Sequence, residues 1–401
     1  MKTVAVLGGG PAGAFAAERL AGAGLRTVLF DEKLAWEKPC GGGITYKAYS
    51  EYPFLLDNSI PKKIVRQTVI GAPKTGEAAM DLSKPVVIYS RFELNKMLLE
   101  RAEHAGAALE KTRVMGIERL DRGWRLKTRH GIAEADYCIV ATGARNPLRE
   151  VGTEWSAADT MSALGYYVPA SQERIDIQFL PRLEGYIWVF PRCGHLSVGI
   201  CGKGEPAQKL LARLEDYMDE RSIDRKNATF YSHMLPSLET RHWARNRVSG
   251  NGWMAVGDAA GMCDPITGEG IYYAIRSGDL ASRVLLNDAH GIIEKASAYR
   301  GMLSREFTRD LEFAAMLAKR VFLGHFCFRT VPQRMVMFMQ RSQRFRDLMQ
   351  DLFAGTQSYL DLRARLLRNL GGRREKLMQF FLDRVIPEND RVIPENSGVL
   401  L

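Results

Sequence analysis

Val4-Ala5-Val6-Leu7-Gly8-Gly9-Gly10-Pro11-Ala12-Gly13 is the stretch that decides the fold, together with Thr27-Val28-Leu29-Phe30-Asp31-Glu32 downstream. Four apolar residues in a row read as a short buried strand. Gly8, Gly10 and Gly13 match the G-x-G-x-x-G spacing at once. Residues 14–22 then read as a helix of small residues, with Ala16, Ala17, Leu20 and Ala21 able to face a sheet, and Gly24 ends it. Residues 27–30 form a second strand, closed by Asp31 and Glu32. Eighteen positions separate Gly13 from Asp31, close to the spacing that places an acid on an adenosine ribose. Gly8 permits the tight turn, Gly10 lets the backbone approach a pyrophosphate, and Gly13 lets helix and strand pack closely. The helix N-terminus aims free N–H groups and a positive partial charge at the phosphates. We therefore expect Gly8, Gly10, Ala12 and Gly13 to contact a dinucleotide, with Asp31 on the ribose and Glu32 as its rival. This unit alone does not separate NAD from FAD.

A second stretch narrows the choice. Trp253-Met254-Ala255-Val256 reads as a strand and runs into Gly257-Asp258-Ala259-Ala260-Gly261. Asp264-Pro265-Ile266-Thr267-Gly268-Glu269-Gly270-Ile271 follows, and residues 272–286 are strongly helical in pattern. A carboxylate at a strand end, among small residues, suits a polyol chain lying on backbone. Gly268 and Gly270 would let a flat ring approach a helix N-terminus, whose dipole favours an anionic reduced ring. Gly257, Asp258, Pro265, Gly268, Gly270 and Ile271 are the expected contacts, and FAD is the expected cofactor. Val114, Thr142 and Gly143, beside the neighbouring strands, complete that set.

With these motifs the chain resembles the geranylgeranyl reductase family, among the FAD enzymes folded like p-hydroxybenzoate hydroxylase. Lys38-Pro39-Cys40-Gly41-Gly42-Gly43-Ile44 and Tyr186-Ile187-Trp188-Val189-Phe190-Pro191 are the most family-specific stretches. Tyr89-Ser90-Arg91-Phe92-Glu93-Leu94 matches a helix start that would place Arg91 beside the FAD. The likeness spans residues 1–286 and continues weakly through residues 352–367. It implies an α/β fold: a Rossmann-like FAD-binding domain, a β-sheet substrate domain and a helical C-terminal region. It also implies that Cys40, Gly41 and Gly42 lie near the flavin. Tyr186, Trp188 and Phe190 alternate, so all three can share one strand face as an apolar wall over the ring. Cys40 and these three aromatics are the expected catalytic-site residues.

The implied activity is saturation of isolated C=C bonds in a hydrophobic isoprenoid chain, by hydride from reduced FAD. The rivals are a flavin-dependent monooxygenase of the same fold and, further off, a halogenase, whose W-x-W-x-I-P motif is distantly similar to residues 186–191. Ala141-Thr142-Gly143 stands where hydroxylases carry Ala-Asp-Gly, and there is no second G-x-G-x-x-G unit. The external reductant therefore stays open between NADPH and a ferredoxin-type donor.

We expect residues 1–51, 91–150 and 252–287 to make a discontinuous FAD-binding domain. In it we place a helix over residues 94–105 and short strands within 113–128 and 135–141. Residues 52–90 and 151–251 would be the substrate domain, with strands at 164–168 and 175–179 and an amphipathic helix at 207–221. Residues 288–401 would be helical from Ala296. The basic residues Arg341, Arg344, Arg346, Arg373, Arg374, Lys376 and Arg384 lie in this last part, interleaved with Val336-Met337-Phe338-Met339 and Phe380-Phe381-Leu382. The tail repeats itself, Arg384-Val385-Ile386-Pro387-Glu388-Asn389 then Arg391-Val392-Ile393-Pro394-Glu395-Asn396. We have no functional account of the repeat and expect a frayed end.

Composition sets the remaining bounds. The 401 residues are 46% hydrophobic and 25% charged, which suits a globular protein of two or three domains. No run of about 18 apolar residues is present, so no spanning helix is expected. The absence of a signal peptide fits a cytoplasmic protein. Net charge is +10. Nucleic acid, an anionic membrane surface or an anionic substrate would suit that balance, and a plain basic enzyme surface suits it equally. We expect no nucleic-acid partner, peripheral contact with an anionic membrane as one use of the arginines, and an oligomeric state left open, with a monomer acceptable. The six cysteines form no CxxC pair, so neither a metal site nor a disulfide framework is expected. Cys138, Cys193, Cys201, Cys263 and Cys327 read as packing residues, and His195, His233 and His242 as structural or solvated.

Overall fold

Two sheets of different character carry the chain; the computed structural model describes residues 3–148, 150–289, 291–368 and 385–386. β1 (Thr3–Leu7) passes through α1 (Pro11–Gly22) to β2 (Arg26–Phe30), which lies parallel to it with Val4 opposite Thr27 and Leu7 opposite Phe30. α1 starts at Pro11, three residues before the expected Ala14. Proline has its φ preset for a first helical position and no N–H to lose there, and Gly10 is the N-cap.

The chain then leaves for the second sheet through β3 (Gly43–Ile44), α2 (Tyr46–Glu51) and the long hairpin β4 (Lys62–Ala72) and β5 (Gly76–Tyr89). α3 (Arg91–His104) brings it back to β6 (Ala108–Glu110). α3 also starts three residues early, because the Ser90 side chain accepts from the Glu93 N–H and caps the first turn. A three-stranded meander follows: β7 (Val114–Arg119), β8 (Trp124–Thr128) and β9 (Gly131–Ala135). β10 (Tyr137–Val140) then runs parallel to β1. The expected strand over 135–141 is thus two, since Ala135 closes the meander and Tyr137 opens a strand of the parallel sheet.

β11 (Thr160–Val168), β12 (Ile175–Phe179), β13 (Glu184–Pro191), β14 (Leu196–Lys203) and β15 (Thr229–Pro236) build the second sheet, with α4 (Ala207–Glu220) between the last two. α5 (Thr240–Trp243), β16 (Ser249–Gly250) and β17 (Trp253–Ala255) return to the first. The first sheet has the order β16-β17-β10-β1-β2-β6, and the second β15-β11-β14-β13-β12-β4-β5-β3. The second is antiparallel except where β12 meets β4. β3, from the glycine-rich loop after Cys40, belongs to this second sheet.

α6 (Ile271–Leu286) packs against α1. A Cβ on Gly278 would lie 2.5 Å from the Ala12 carbonyl oxygen, so this crossing needs glycine. α7 (Ile292–Leu303) and α8 (Arg309–Leu323) follow. The expected helical run is interrupted by a small hairpin, β18 (His325–Phe326) and β19 (Arg329–Thr330), whose turn residues Cys327 and Phe328 have φ of 49° and 64°. α9 (Val331–Arg341), α10 (Gln343–Phe353) and α11 (Leu362–Leu367) complete the described chain. Val336, Met339, Phe345, Leu348 and Met349 of these helices pack with Ile70, Met80, Val86 and Ile88 of the second sheet. Their apolar faces are therefore covered by protein. Arg373, Arg374, Lys376, Arg384, the Phe380-Phe381-Leu382 stretch and most of the duplicated tail lie outside the described residues.

Candidate functional site

The glycine turn has the shape a pyrophosphate needs. Gly8 has φ 119°, and a Cβ there would sit 2.2 Å from the Ala141 carbonyl oxygen. A Cβ on Gly13 would meet the Gly8 carbonyl oxygen at 2.0 Å. A Cβ on Gly10 would meet nothing within 4 Å, and the same holds at Gly143. So Gly8 and Gly13 serve chain packing, whereas Gly10 and Gly143 border open space. Asp31 and Glu32 part company here. The Gly9 N–H donates to Asp31 Oδ2 at 2.7 Å, which ties Asp31 to the glycine turn. Glu32 instead faces Arg113 and Arg129 at 3.6 and 3.7 Å. Val114 is buried at the start of β7, and the Thr142 hydroxyl donates to Asn146 Oδ1 at 3.1 Å.

The second motif lies across α1. The Gly257 N–H donates to the Ser277 hydroxyl, and Asp258 pairs with Lys38 Nζ at 3.0 Å. Burial opposes charge on Asp258, but Lys38 outweighs it and holds the carboxyl below the usual range. His233 of β15 looks onto this pair. Burial first, and Lys38 second, push its imidazole down to about 3. Among the described residues its Nε2 is buried with no hydrogen-bond partner, as is Nε of Arg91, a residue only 3% exposed. Orphaned buried polar atoms are rare in native folds. Two of them, with open space at Gly10 and Gly143 and a carboxylate at Asp258, fit an FAD. Of the two expectations for His233, structural or solvated, its buried Nε2 excludes the solvated one.

The turn that would face the flavin ring is held from two sides. Asp264 Oδ1 accepts the N–H groups of Ile266 and Thr267 at 2.8 and 3.0 Å, and both its oxygens accept from the Tyr359 hydroxyl at 3.1 and 2.9 Å. Pro265 is buried beside it, and the Gly268 N–H donates to the Asp264 carbonyl oxygen. From the other side the Tyr186 hydroxyl donates to the Thr267 carbonyl oxygen, and a Cβ on Gly268 would lie 3.1 Å from that hydroxyl. Gly270 and buried Ile271 start α6, with the Gly270 Cβ position 3.6 Å from Asp258 Oδ1. Glu269 lies between Gly268 and Gly270, and its side chain accepts the Tyr272 N–H at 2.8 Å. Burial pushes its carboxyl up to about 7.

That shift has a consequence for stability. Below the ordinary carboxylate value of 4.5 both folded and unfolded chains hold this proton. As pH rises toward 7 the unfolded chain releases it while the folded chain keeps it, so stability falls across that window and then levels off. Glu269→Gln should remove this slope and leave the variant the more stable protein at pH 8. Thermal midpoints of the flavin-free chains across pH measure it, and parallel curves would contradict it.

Three aromatics of β13 and the Cys40 loop complete the site. Tyr186 and Trp188 meet edge to face at 6.4 Å, and Tyr186 stacks on Phe322 of α8 at 6.4 Å. Trp188 is buried, and a Cβ on Gly199 would overlap its ring at 2.3 Å. Phe190 lies over Gly41, where a Cβ would be 2.0 Å from the ring. Cys40 is half-buried and its Sγ accepts the Gly42 N–H at 3.3 Å. Cys138, Cys201 and Cys263 are buried, but Cys193 and Cys327 are exposed in turns, so they are not the packing residues expected. Sequence reading also passed over Glu37, Arg192, Ser197, Tyr231 and Tyr359. Arg192 directly follows the Tyr-x-Trp-x-Phe-Pro stretch, and that adjacency was its one signal.

Residues 2–163 match the pyridine nucleotide-disulphide oxidoreductase family model. The geranylgeranyl diphosphate reductase of rice chloroplasts is 30% identical over 334 residues, covering 72% of this chain and 67% of that protein. The chain belongs to the geranylgeranyl reductase family. As a member of that family it is an FAD-dependent oxidoreductase. Menaquinone reductase of Mycobacterium tuberculosis is 28% identical, covering 79% of this chain and 83% of the relative. A geranylgeranyl bacteriochlorophyll reductase-like protein of Thermoplasma acidophilum shares the fold. Its TM-score is 0.74 at 23% identity, covering 88% of this chain and 96% of the other. A flavin-dependent brominase shares it at a TM-score of 0.68 and 16% identity, covering 95% and 98% of the two chains. At such identities the likeness is one of fold. The chain thus shares its scaffold with halogenases and its sequence with the geranylgeranyl reductase family.

Proposed function

We propose that this enzyme saturates isolated C=C bonds in a geranylgeranyl-type isoprenoid chain. One observation carries the reading. Tyr186 touches the flavin-facing turn at Thr267 and Gly268 and, through Phe322, enters an apolar layer between the second sheet and the C-terminal helices. An isolated alkene offers no polar handle, so it has to be held by such a wall. Bound and reduced, FAD supplies the hydride. The chain's own residues do the rest. Tyr186, Trp188 and Phe190 hold the chain and keep water away, Gly8, Gly10, Ala12, Gly13 and Asp31 hold the nucleotide, and Asp258 holds the polyol. Arg91 and the turn 265–271 would hold the ring. Reducing equivalents would come from NADPH or a ferredoxin-type donor.

The test is anaerobic. Enzyme reduced with dithionite and given geranylgeranyl diphosphate should return a product that has gained hydrogen in pairs. A product formed only with oxygen, hydroxylated or brominated, would reject the reading. A prenylated quinone is the second reading, because the chain covers more of the menaquinone reductase than of the plant reductase. The same assay with menaquinone decides between the two head groups.

A water-insoluble substrate also argues for peripheral contact with an anionic bilayer. No helix among the described residues is long and apolar enough to cross one. The apolar faces of α9 and α10 are spent on the sheet, and Arg346 donates to the Met339 carbonyl oxygen and to Gln343. Contact would therefore rest on exposed Arg341 and on Phe328, fully exposed at the tip of the β18–β19 hairpin. Each basic side chain near an anionic leaflet contributes about 1 kcal/mol. Sedimentation with phosphatidylserine vesicles should fall with added salt, and Phe328→Asp should weaken it about tenfold. Binding indifferent to lipid charge and to residue 328 would reject the contact.

A further inference from the structure

The Arg192 side chain is 0% exposed, although it carries a full charge. Taking a guanidinium out of water is costly, and an apolar side chain would fill the space with less penalty. Its presence has to be explained by what its donors reach. Nη1 donates to Glu37 Oε1, Nη2 to the Cys40 carbonyl oxygen, and Nε to the Gly41 carbonyl oxygen at 3.3 Å. The guanidinium also lies over the Tyr167 ring at 5.0 Å. Glu37 is engaged just as fully. It accepts the Ser90 hydroxyl at 2.5 Å and the N–H groups of Arg91 and Phe92 at 2.9 and 3.2 Å, at the N-terminus of α3. Burial opposes its charge, yet Arg192 and these donors hold its carboxyl below the usual range.

A second clamp acts on the same carbonyl. The Ser197 hydroxyl donates to the Cys40 carbonyl oxygen at 3.2 Å and is itself held by the Tyr231 hydroxyl at 2.9 Å and Trp188 Nε1 at 3.3 Å. Gly42 has φ 84°, and a Cβ there would strike the Tyr89 carbonyl oxygen at 2.2 Å. The loop 39–43 thus has both inward carbonyls bonded and no room to shift. Its cysteine sulfur accepts the Gly42 N–H.

We propose that Arg192 and Glu37 are positioning residues that set the loop 39–43 and, through it, the place and reactivity of the Cys40 sulfur. The inference rests on the reading of Cys40 as a flavin-side residue. Lysine could not replace Arg192, because an ammonium cannot present the fixed fork of donors that reaches Glu37 and the Cys40 and Gly41 carbonyls together. Glutamine at 37 would keep the shape but lose the ion pair.

Iodoacetamide alkylation of Cys40 tests this, in a Cys193→Ser/Cys327→Ser background that removes the exposed thiols. The rate at Cys40 is read by peptide mass spectrometry across pH, with FAD bound and stripped. Arg192→Lys should keep FAD and the circular dichroism of its parent, change the Cys40 alkylation rate at least tenfold, and shift the flavin absorption band. Glu37→Gln should act in the same direction. Arg192→Lys combined with Cys40→Ser should slow prenyl reduction no further than the more severe single change. Parent-like alkylation in both variants, or losses that multiply, would overturn the proposal. Should Arg192→Lys fail to fold, Glu37→Gln decides by the same rate. Cys40→Ser with unchanged turnover would remove Cys40 from the reaction, and alkylation would still decide what Arg192 does.

Discussion

Gly10→Val should yield a colourless protein that keeps its fold. Gly10 has ordinary backbone angles, φ −69° and ψ 178°, which valine can adopt. Its Cβ would meet no atom within 4 Å, so the flavin-free chain has nothing to lose. The space that valine would fill is the space a pyrophosphate needs beside the N-terminus of α1, and a branched side chain there excludes the phosphates from the N–H groups. We expect FAD affinity to fall at least 100-fold, about 2.7 kcal/mol. The thermal midpoint of the stripped protein should stay within a degree or two of its parent. Gly13→Val is the contrast, since its Cβ would overlap the Gly8 carbonyl oxygen and the turn itself would give way. Asp258→Ala should also lose flavin. A yellow Gly10→Val protein with normal FAD content would move the phosphate site elsewhere.

Trp188→Ala should give the largest loss at the substrate side. The indole is buried, fills the space over Gly199, touches Tyr186 and donates to the Ser197 hydroxyl that holds the Cys40 carbonyl. Removing it opens a cavity and leaves that hydroxyl one donor short. Truncations of this kind cost about 3–5 kcal/mol. Chemical denaturation of the FAD-loaded enzyme should show a loss in that range, with prenyl reduction reduced far more than FAD binding. Tyr186→Phe removes one hydrogen bond and should cost about 1 kcal/mol. If Trp188→Ala is as stable and as active as Tyr186→Phe, the indole is neither wall nor support.

The nucleotide half of this site was legible in the sequence because its parts are local. The glycine spacing of 8, 10 and 13, the acid eighteen residues on and the glycines at 268 and 270 each act through backbone shape within a few residues of themselves. Alternation likewise put Tyr186, Trp188 and Phe190 on one strand without saying what they would face. Helix starts were misplaced by three residues, since Pro11 and Ser90 define them by capping rather than by apolar period.

What only the tertiary structure decided is which distant groups meet. Glu37 and Arg192 are 155 residues apart, Lys38 and Asp258 are 220 apart, and Tyr359 reaches Asp264 across 95. No local pattern encodes such pairs, because the partners lie far apart along the chain and meet only when the fold brings them together out of water. The same holds for His233, whose neighbours come from the Lys38 loop and the Asp258 turn. Spacing thus determined the dinucleotide-binding unit of an FAD-dependent oxidoreductase. Burial against residues far along the chain decided how the Cys40 loop is held. It also decided that the apolar faces of α9 and α10 belong to the core, because the second sheet offers them an apolar surface that the sequence does not announce.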